Sequence, residues 1–221
     1  MPFKNLISGY KSFRKNYFGS GRSLFSALVR DGQSPETLII ACSDSRADPA
    51  ILTSSGPGDM FVVRNVAAIV PPYKTDSSHH GTSAAIEFAV RTLKVKNIVV
   101  MGHSCCGGIQ ALAEKEISRE KYEFLPQWMD IGSAALETVE KELAAAPAEV
   151  KRRALEQAVA LVSLSNLMTF PWIRQAVEAK TLELHAWYFD LKTGALLNYN
   201  ASTKVFENIK IPRKKTLKTI S

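Results

Sequence analysis

Apolar residues fall along this chain in short, unbroken runs separated by polar turns. "TLIIACS" (37–43), "MFVV" (60–63) and "NIVVMG" (97–102) are such runs. Continuous rather than alternating hydrophobicity marks strands covered on both faces of a parallel sheet. "GTSAAIEFAVRTLK" (81–94) changes period: Ile86, Ala89, Val90 and Leu93 share one helical face, with Thr82 as the expected cap. A further helix opens in "CCGGIQALAEK" (105–115), and residues 128–180 carry helical patterns broken at Pro147. "TLELHAWYFD" (181–190) alternates like a strand, "KTG" (192–194) turns, and "ALLNYN" (195–200) reads as its hairpin partner. Near the N-terminus Leu6, Tyr10 and Phe13 recur at helical spacing. This order predicts an α/β fold: a mostly parallel central sheet flanked by helices, with N-terminal helices before it and a C-terminal antiparallel hairpin after it.

Composition changes that picture little. The 221 residues are 46% hydrophobic and 22% charged, an ordinary globular balance for one domain. No apolar run approaches the roughly 20 residues of a membrane span, so no membrane partner is expected. Three cysteines, Cys42, Cys105 and Cys106, are too few for a disulfide framework. Free thiols favour a reducing, cytoplasmic setting.

The net charge of +7 is concentrated at the ends. Residues 1–30 carry six basic side chains and no acid, and residues 204–221 carry six against Glu207. An acid-poor N-terminus also fits a transit peptide, but the helical spacing favours a helix. The basic tail lacks interleaved aromatics, so no nucleic-acid partner is expected.

In open parallel sheets, sites form at the carboxyl ends of the strands. Cys42 ends the first predicted strand and His103 the third. His103 and Cys106 form an H-x-x-C pair across a strand end and a helix start, a spacing that lets both converge on one point. Cys105 faces away, because neighbouring side chains diverge. Gly107 and Gly108 permit tight packing and unusual dihedrals alongside. "CSDSR" (42–46) adds Asp44 and Arg46 two positions apart, a carboxylate beside its own bidentate partner. On spacing alone, buried free cysteines and a surface ion pair account for these residues equally well.

The longer text is more specific. "ACSDSRADP" (41–49), "PGDMFVVRNVAAIVPPY" (57–73) and "HGTSAAIEFAVRTLKVKNIVVMGHSCCGG" (80–108) closely resemble the signature blocks of the β-class carbonic anhydrases. The resemblance runs from about Gln33 to Gly108. It implies one Zn²⁺ per chain on Cys42, His103 and Cys106, and a catalytic dyad of Asp44 and Arg46. It assigns Gln33, nine residues before the first ligand, a hydrogen bond to substrate. Phe61, Val66, Phe88 and Gly107 would complete the substrate pocket, with Phe88 standing where the family often has tyrosine. Part of that pocket comes from a neighbouring subunit, so a homodimer or dimer-based higher oligomer is implied. The implied boundaries are a single domain over 1–221, with a helical arm at 1–32, a zinc-site core at 33–108 and a basic tail at 201–221.

The activity so implied is reversible hydration of carbon dioxide to bicarbonate and a proton by metal-bound hydroxide. A carbonyl sulfide or carbon disulfide hydrolase of the same family is the alternative. One subgroup has Trp-x-Gly before the first ligand and a bicarbonate-regulated closed state. Here Ile39 and Ala41 stand at those positions, which predicts an open site with Asp44 off the metal. "GHSCC" (102–106) begins like the nucleophile elbow G-x-S-x-G but ends in Cys106, against a serine hydrolase. A non-catalytic zinc module, with Asp44 as fourth ligand, would leave Arg46 and Gln33 without a purpose. His79 and His80 are candidate proton shuttles but read first as exposed loop residues, and His185 as structural.

Overall fold

The computed structural model describes residues 2–18 and 24–209. Among them, six strands form one sheet in the order β2-β1-β3-β4-β5-β6. These are β1 (Thr37–Cys42), β2 (Phe61–Asn65), β3 (Asn97–His103), β4 (Glu183–Phe189), β5 (Leu196–Asn200) and β6 (Val205–Asn208). The first four are parallel, and β5 and β6 turn back antiparallel. The sheet is therefore mostly parallel with an antiparallel C-terminal edge, as the sequence pattern predicts. Strand β6 is an addition: it lies at the start of the segment read as a basic tail. Residues 210–221 lie outside the described residues.

Strict alternation sends side chains to the two faces. Leu38 and Ile40 of β1 join Ile98 and Val100 of β3 in one core, closed by Ile86, Leu167, Phe170 and Ile173. Ile39 and Ala41 join Val99 and Met101 on the other face, against Trp187. Cys42 continues the Leu38 and Ile40 side and packs with Cys106, Ile109, Met129 and Leu155.

The helices are α1 (Phe3–Phe18), α2 (Leu24–Asp31), α3 (Pro49–Thr53), α4 (Gly81–Glu87), α5 (Gly107–Ala113), α6 (Leu125–Met129), α7 (Ser133–Glu142), α8 (Ala148–Leu167) and α9 (Pro171–Glu178). Pro147 stands at the N-cap of α8, where its fixed φ starts a helix without cost. The helix expected over 81–94 does not stay α-helical. After α4 it widens over Phe88–Thr92, where Leu93 N–H bonds Phe88 O at 3.0 Å, five residues back. Thr82 does not cap it; α4 starts at Gly81, and the Thr82 hydroxyl accepts from Asn65 Nδ2 at 3.3 Å.

The N-terminal helix forms as the spacing predicts, but none of its residues is buried. Leu6 is 56% and Tyr10 60% exposed. Phe13 and Phe18 pack on Phe25 of α2 at ring distances of 5.6 and 5.0 Å. Leu28 of α2 rests on Gly58, whose φ of +93° and contact space both exclude a side chain. Among the described residues, no helix is long and apolar enough to cross a membrane.

Candidate active site

The carboxyl ends of β1 and β3 and the start of α5 bring Cys42, His103 and Cys106 together. Their ligand atoms lie within 4.8 Å of one another, and all three residues are buried. The two sulfurs are 3.9 Å apart. Tetrahedral zinc with Zn–S bonds of about 2.3 Å would hold two sulfurs about 3.8 Å apart. His103 Nδ1 donates to Ser104 O at 2.9 Å, which fixes the tautomer and leaves the Nε2 lone pair free. That Nε2 is buried without a hydrogen-bond partner, a costly state unless a cation meets it. A soft divalent ion such as zinc fits this donor set.

Charge at the cluster is consistent with metal binding. The Cys106 thiol beside it pushes Cys42 down to about 4, against burial and aided by His103. The Cys42 thiolate and burial push Cys106 up. The two thiols thus share one proton in the bare pair, and a bound cation would displace it. Burial lowers the His103 pKa, but the adjacent Cys42 thiolate outweighs it and the net shift is upward. The Asp44 amide points at Cys42 Sγ at 3.4 Å, partly satisfying the sulfur.

Asp44 and Arg46 form the pair their spacing predicts. Arg46 Nε donates to Asp44 Oδ1 at 2.9 Å and Nη2 to Oδ2 at 2.7 Å, while the Arg46 amide adds a third bond to Oδ1 at 2.9 Å. The Arg46 guanidinium, first of all, holds the Asp44 carboxyl well below the usual carboxylate range. Both carboxylate oxygens are engaged, unlike those of a fourth ligand in a closed structural site.

Arg64 spans this loop from beneath. It donates to Asp48 Oδ2 at 2.6 Å, Cys42 O at 3.0 Å and Asp44 O at 2.6 Å. Asp48 in turn caps α3 through the Ala50 amide at 2.9 Å. This brace was not read from the sequence, although Asp48 and Arg64 both lie within the recognisable blocks at 41–49 and 57–73.

The expected pocket residues divide into two sets. Val66 follows Asn65, the register partner of Cys42, and its Cγ1 lies 2.9 Å from where a Gly108 Cβ would stand. Gly108 is thus required by close packing, and Val66 stands beside the cluster. Trp128 Nε1 fixes this turn by donating to Val66 O at 2.9 Å. Gly107 opens α5 at the surface with free space around it. Neither glycine has a positive φ; the left-handed residue of this turn is Cys105, at φ +56°.

Gln33, Phe61 and Phe88 lie elsewhere. Phe61 pairs in register with Leu38, four residues before Cys42, or about 13 Å along the strand. Phe88 packs on Phe61 at 5.9 Å and is 43% exposed. Gln33 is exposed, ahead of β1. These three sit toward the amino ends of the strands, and the Cys42–His103–Cys106 cluster sits at the carboxyl ends. One chain alone does not bring them together.

The remaining candidates are accounted for. Ser104 is buried, and its Oγ accepts from the Leu191 amide at 2.7 Å, a structural role rather than an exposed nucleophile. His80 pairs with Asp76 at 2.7 Å, and His185 with Asn97 at 3.1 Å. Missed altogether was Glu156 of α8, 4% exposed, which accepts from the Cys106 amide at 3.2 Å and the Tyr188 hydroxyl at 2.6 Å. The signal was faint: Glu156 heads the stripe Ala160, Ser163, Leu167 on the buried face of its helix.

Two cysteines and a histidine at the carboxyl ends of parallel strands, beside an arginine-held carboxylate, define a metal-site enzyme of the α/β class. The carbonic anhydrase family profile matches residues 37–196. A carbonic anhydrase of Synechocystis sp. is 37% identical over 200 residues, 89% of this chain and 71% of that protein. The chloroplastic β carbonic anhydrase 5 of Arabidopsis thaliana is 40% identical over 188 residues, 85% of this chain and 62% of that one. The solved β-carbonic anhydrase CcaA superposes with a TM-score of 0.87 at 34% identity, over 93% of this chain and 98% of that one. A tetrameric β-carbonic anhydrase of Sordaria macrospora gives 0.71 at 33% identity, over 88% and 92%. The chain belongs to the β-class carbonic anhydrases. It is a carbonic anhydrase, a lyase that reversibly hydrates carbon dioxide to bicarbonate and a proton. The carbonyl sulfide alternative is not favoured by these relatives.

Proposed function

We propose that this hydration runs on a zinc ion held by Cys42, His103 and Cys106, one per chain, in a site completed by a second copy of the chain. The observation that carries the reading is the buried, unpartnered His103 Nε2 facing two thiols. Zinc bound there would supply the Lewis acidity that makes a nucleophile from water. Asp44 accepts the hydrogen of the attacking oxygen and so directs its lone pair at carbon dioxide. Arg46 holds Asp44 ionised and turned away from the metal. Val66 forms the apolar wall on the chain's own side, and the Gly107 backbone borders the substrate.

The second copy would bring Gln33, Phe61 and Phe88 to the open side of the site. Gln33 donates its amide to a substrate oxygen, while the two phenyl rings exclude water from carbon dioxide. Two observations support a dimer or a dimer-based assembly. Those three residues lie at the opposite end of the strands from their own cluster, and α1 leaves Phe3, Leu6, Ile7 and Tyr10 exposed ahead of the end that packs on α2. Patches of that kind mark interfaces.

We further infer an open, unregulated site. Where the regulated subgroup has tryptophan, Ile39 is packed into the core, and Arg64 is fully occupied by Asp48 and two carbonyls. The three free cysteines fit a reducing compartment such as the cytoplasm. The test is zinc content and carbon dioxide hydration measured together on one preparation. Zinc-free protein that hydrates at the wild-type rate would overturn the reading.

A further inference from the structure

Two neighbouring cysteines stand at the metal cluster, yet only one faces it. The selection is made at a single peptide group, the one joining Cys105 to Cys106. Its carbonyl accepts from Arg46 Nη2 at 3.1 Å, and its N–H donates to Glu156 Oε1 at 3.2 Å. The group is gripped at both ends, from the dyad on one side and from the buried helix α8 on the other. Cys105 itself is held left-handed at φ +56°, a conformation that a non-glycine residue keeps only when its surroundings over-determine it. One residue earlier, the Ser104 amide is tied to Phe189 O at 2.9 Å, and the Leu191 amide is tied to Ser104 Oγ at 2.7 Å. On the other side, the Cys106 carbonyl accepts from the Gln110 amide at 2.9 Å, so the residues flanking the Cys105–Cys106 peptide are tied and its own two hydrogen bonds set its plane.

Glu156 is the costly part of this arrangement. A carboxyl group in a helix face shared with Leu155, Val159 and Ala160 is rarely buried without partners. Its second oxygen is held by the Tyr188 hydroxyl at 2.6 Å, and Tyr188 is itself buried, with Arg153 stacked over its ring at 5.2 Å. The Glu156 backbone passes beside Gly102 of β3, its carbonyl oxygen 3.5 Å from where a Gly102 Cβ would stand.

We propose that Glu156, anchored by Tyr188, is a positioning residue that fixes the Cys105–Cys106 peptide so that Cys106 rather than Cys105 is presented to the metal. The inference rests on the zinc-site reading above. Without Glu156 the peptide plane is held only by Arg46, and the Cys105 thiol competes for the ion.

The test uses the full-length protein loaded with cobalt(II), whose thiolate charge-transfer absorption counts sulfur ligands. Wild type should show two thiolates, and Cys105→Ser should leave its spectrum unchanged. Glu156→Leu should bind cobalt 10- to 100-fold more weakly by chelator competition, the usual range for losing a group that orients a ligand. In that background Cys105→Ser should now alter the spectrum. Glu156→Gln keeps an acceptor for the amide and a partner for Tyr188, and should restore wild-type affinity. Tyr188→Phe should weaken binding by less than Glu156→Leu. Unfolding of each metal-free variant reports its fold. If Glu156→Leu does not fold, the Gln and Phe variants carry the test. Glu156→Leu with wild-type affinity and spectrum overturns the inference, as does Glu156→Gln binding as weakly as Glu156→Leu. Wild type lacking two thiolate ligands would instead overturn the zinc-site reading, and this inference with it.

Discussion

Arg46 occupies both oxygens of Asp44, at 2.9 and 2.7 Å, and with the same Nη2 reaches the carbonyl oxygen of Cys105 at 3.1 Å. The carboxylate proposed to handle the proton and the turn that carries Cys106 are thereby joined through one guanidinium. Arg46→Ala removes both functions. It frees Asp44 to approach the metal as a fourth ligand. Zinc content should hold, while carbon dioxide hydration falls about 100-fold or more, the scale of losing a positioned proton-transfer group. Arg46→Lys should recover little, since an ammonium cannot reproduce the bidentate geometry. Wild-type turnover in Arg46→Ala would show that Asp44 needs no partner.

The adjacent cysteines differ in burial and direction. Cys106 is buried against Cys42, whereas Cys105 is only half-buried and does not join the Cys42–His103–Cys106 group. Cys106→Ala should lose zinc, and Cys105→Ala should retain one per chain, as read by metal analysis after dialysis. Zinc retained in Cys106→Ala, or lost in Cys105→Ala with the fold intact, would reverse the assignment.

The pH dependence follows from where the protons sit. Arg46 holds the Asp44 pKa below its unfolded value of about 3.9. A group depressed in this way favours the fold above that unfolded pKa, and the contribution is lost as pH falls through the folded pKa. Asp44 is therefore ionised throughout the neutral and alkaline range, and its titration cannot shape the activity there. Two thiolate ligands would cancel the formal charge of a bound Zn²⁺ and weaken its pull on water, so the reacting water should be less acidic than the value of about 7 in a three-histidine site. Hydration should rise from neutral toward alkaline pH. Asp44→Asn, lacking one negative charge, should move the midpoint of the residual rate to lower pH. A flat or falling profile, measured as kcat/KM, would contradict this.

Assembly is testable by complementation. A Phe61→Ala chain has its own ligands but a defective wall, and a Cys106→Ala chain has the converse. If each site draws its wall from the partner, equal mixing after dissociation should restore about a quarter of wild-type activity, because half the random dimers are mixed and each has one whole site. Mixtures no more active than the parents would mean that Phe61 serves no partner site.

Much of this was legible in the sequence because the sheet is parallel and buried. The runs at 37–43 and 97–102 read directly as β1 and β3, and those strands end at Cys42 and His103. The separation of Phe61 from the cluster was legible in principle, since Phe61 starts its strand and Cys42 ends its own. Less visible were features made by contacts across long sequence distances. Glu156 is 50 residues from the amide it holds and 32 from Tyr188, and within its own helix it reads as a solvent-facing acid. Strand β6 is four residues long with two polar positions, too short for a periodic signal, and it exists because β5 offers an edge. The widened turn at Phe88–Thr92 leaves the apolar spacing of its helix nearly unchanged, so the pattern carries no trace of it.

The measurement that bears most directly on the mechanism is carbon dioxide hydration by stopped flow on zinc-loaded wild type and Asp44→Asn, with zinc quantified in both. The dyad account predicts one zinc per chain in each protein and a rate reduced about 100-fold by the substitution. An unchanged rate in Asp44→Asn at equal zinc content would contradict it.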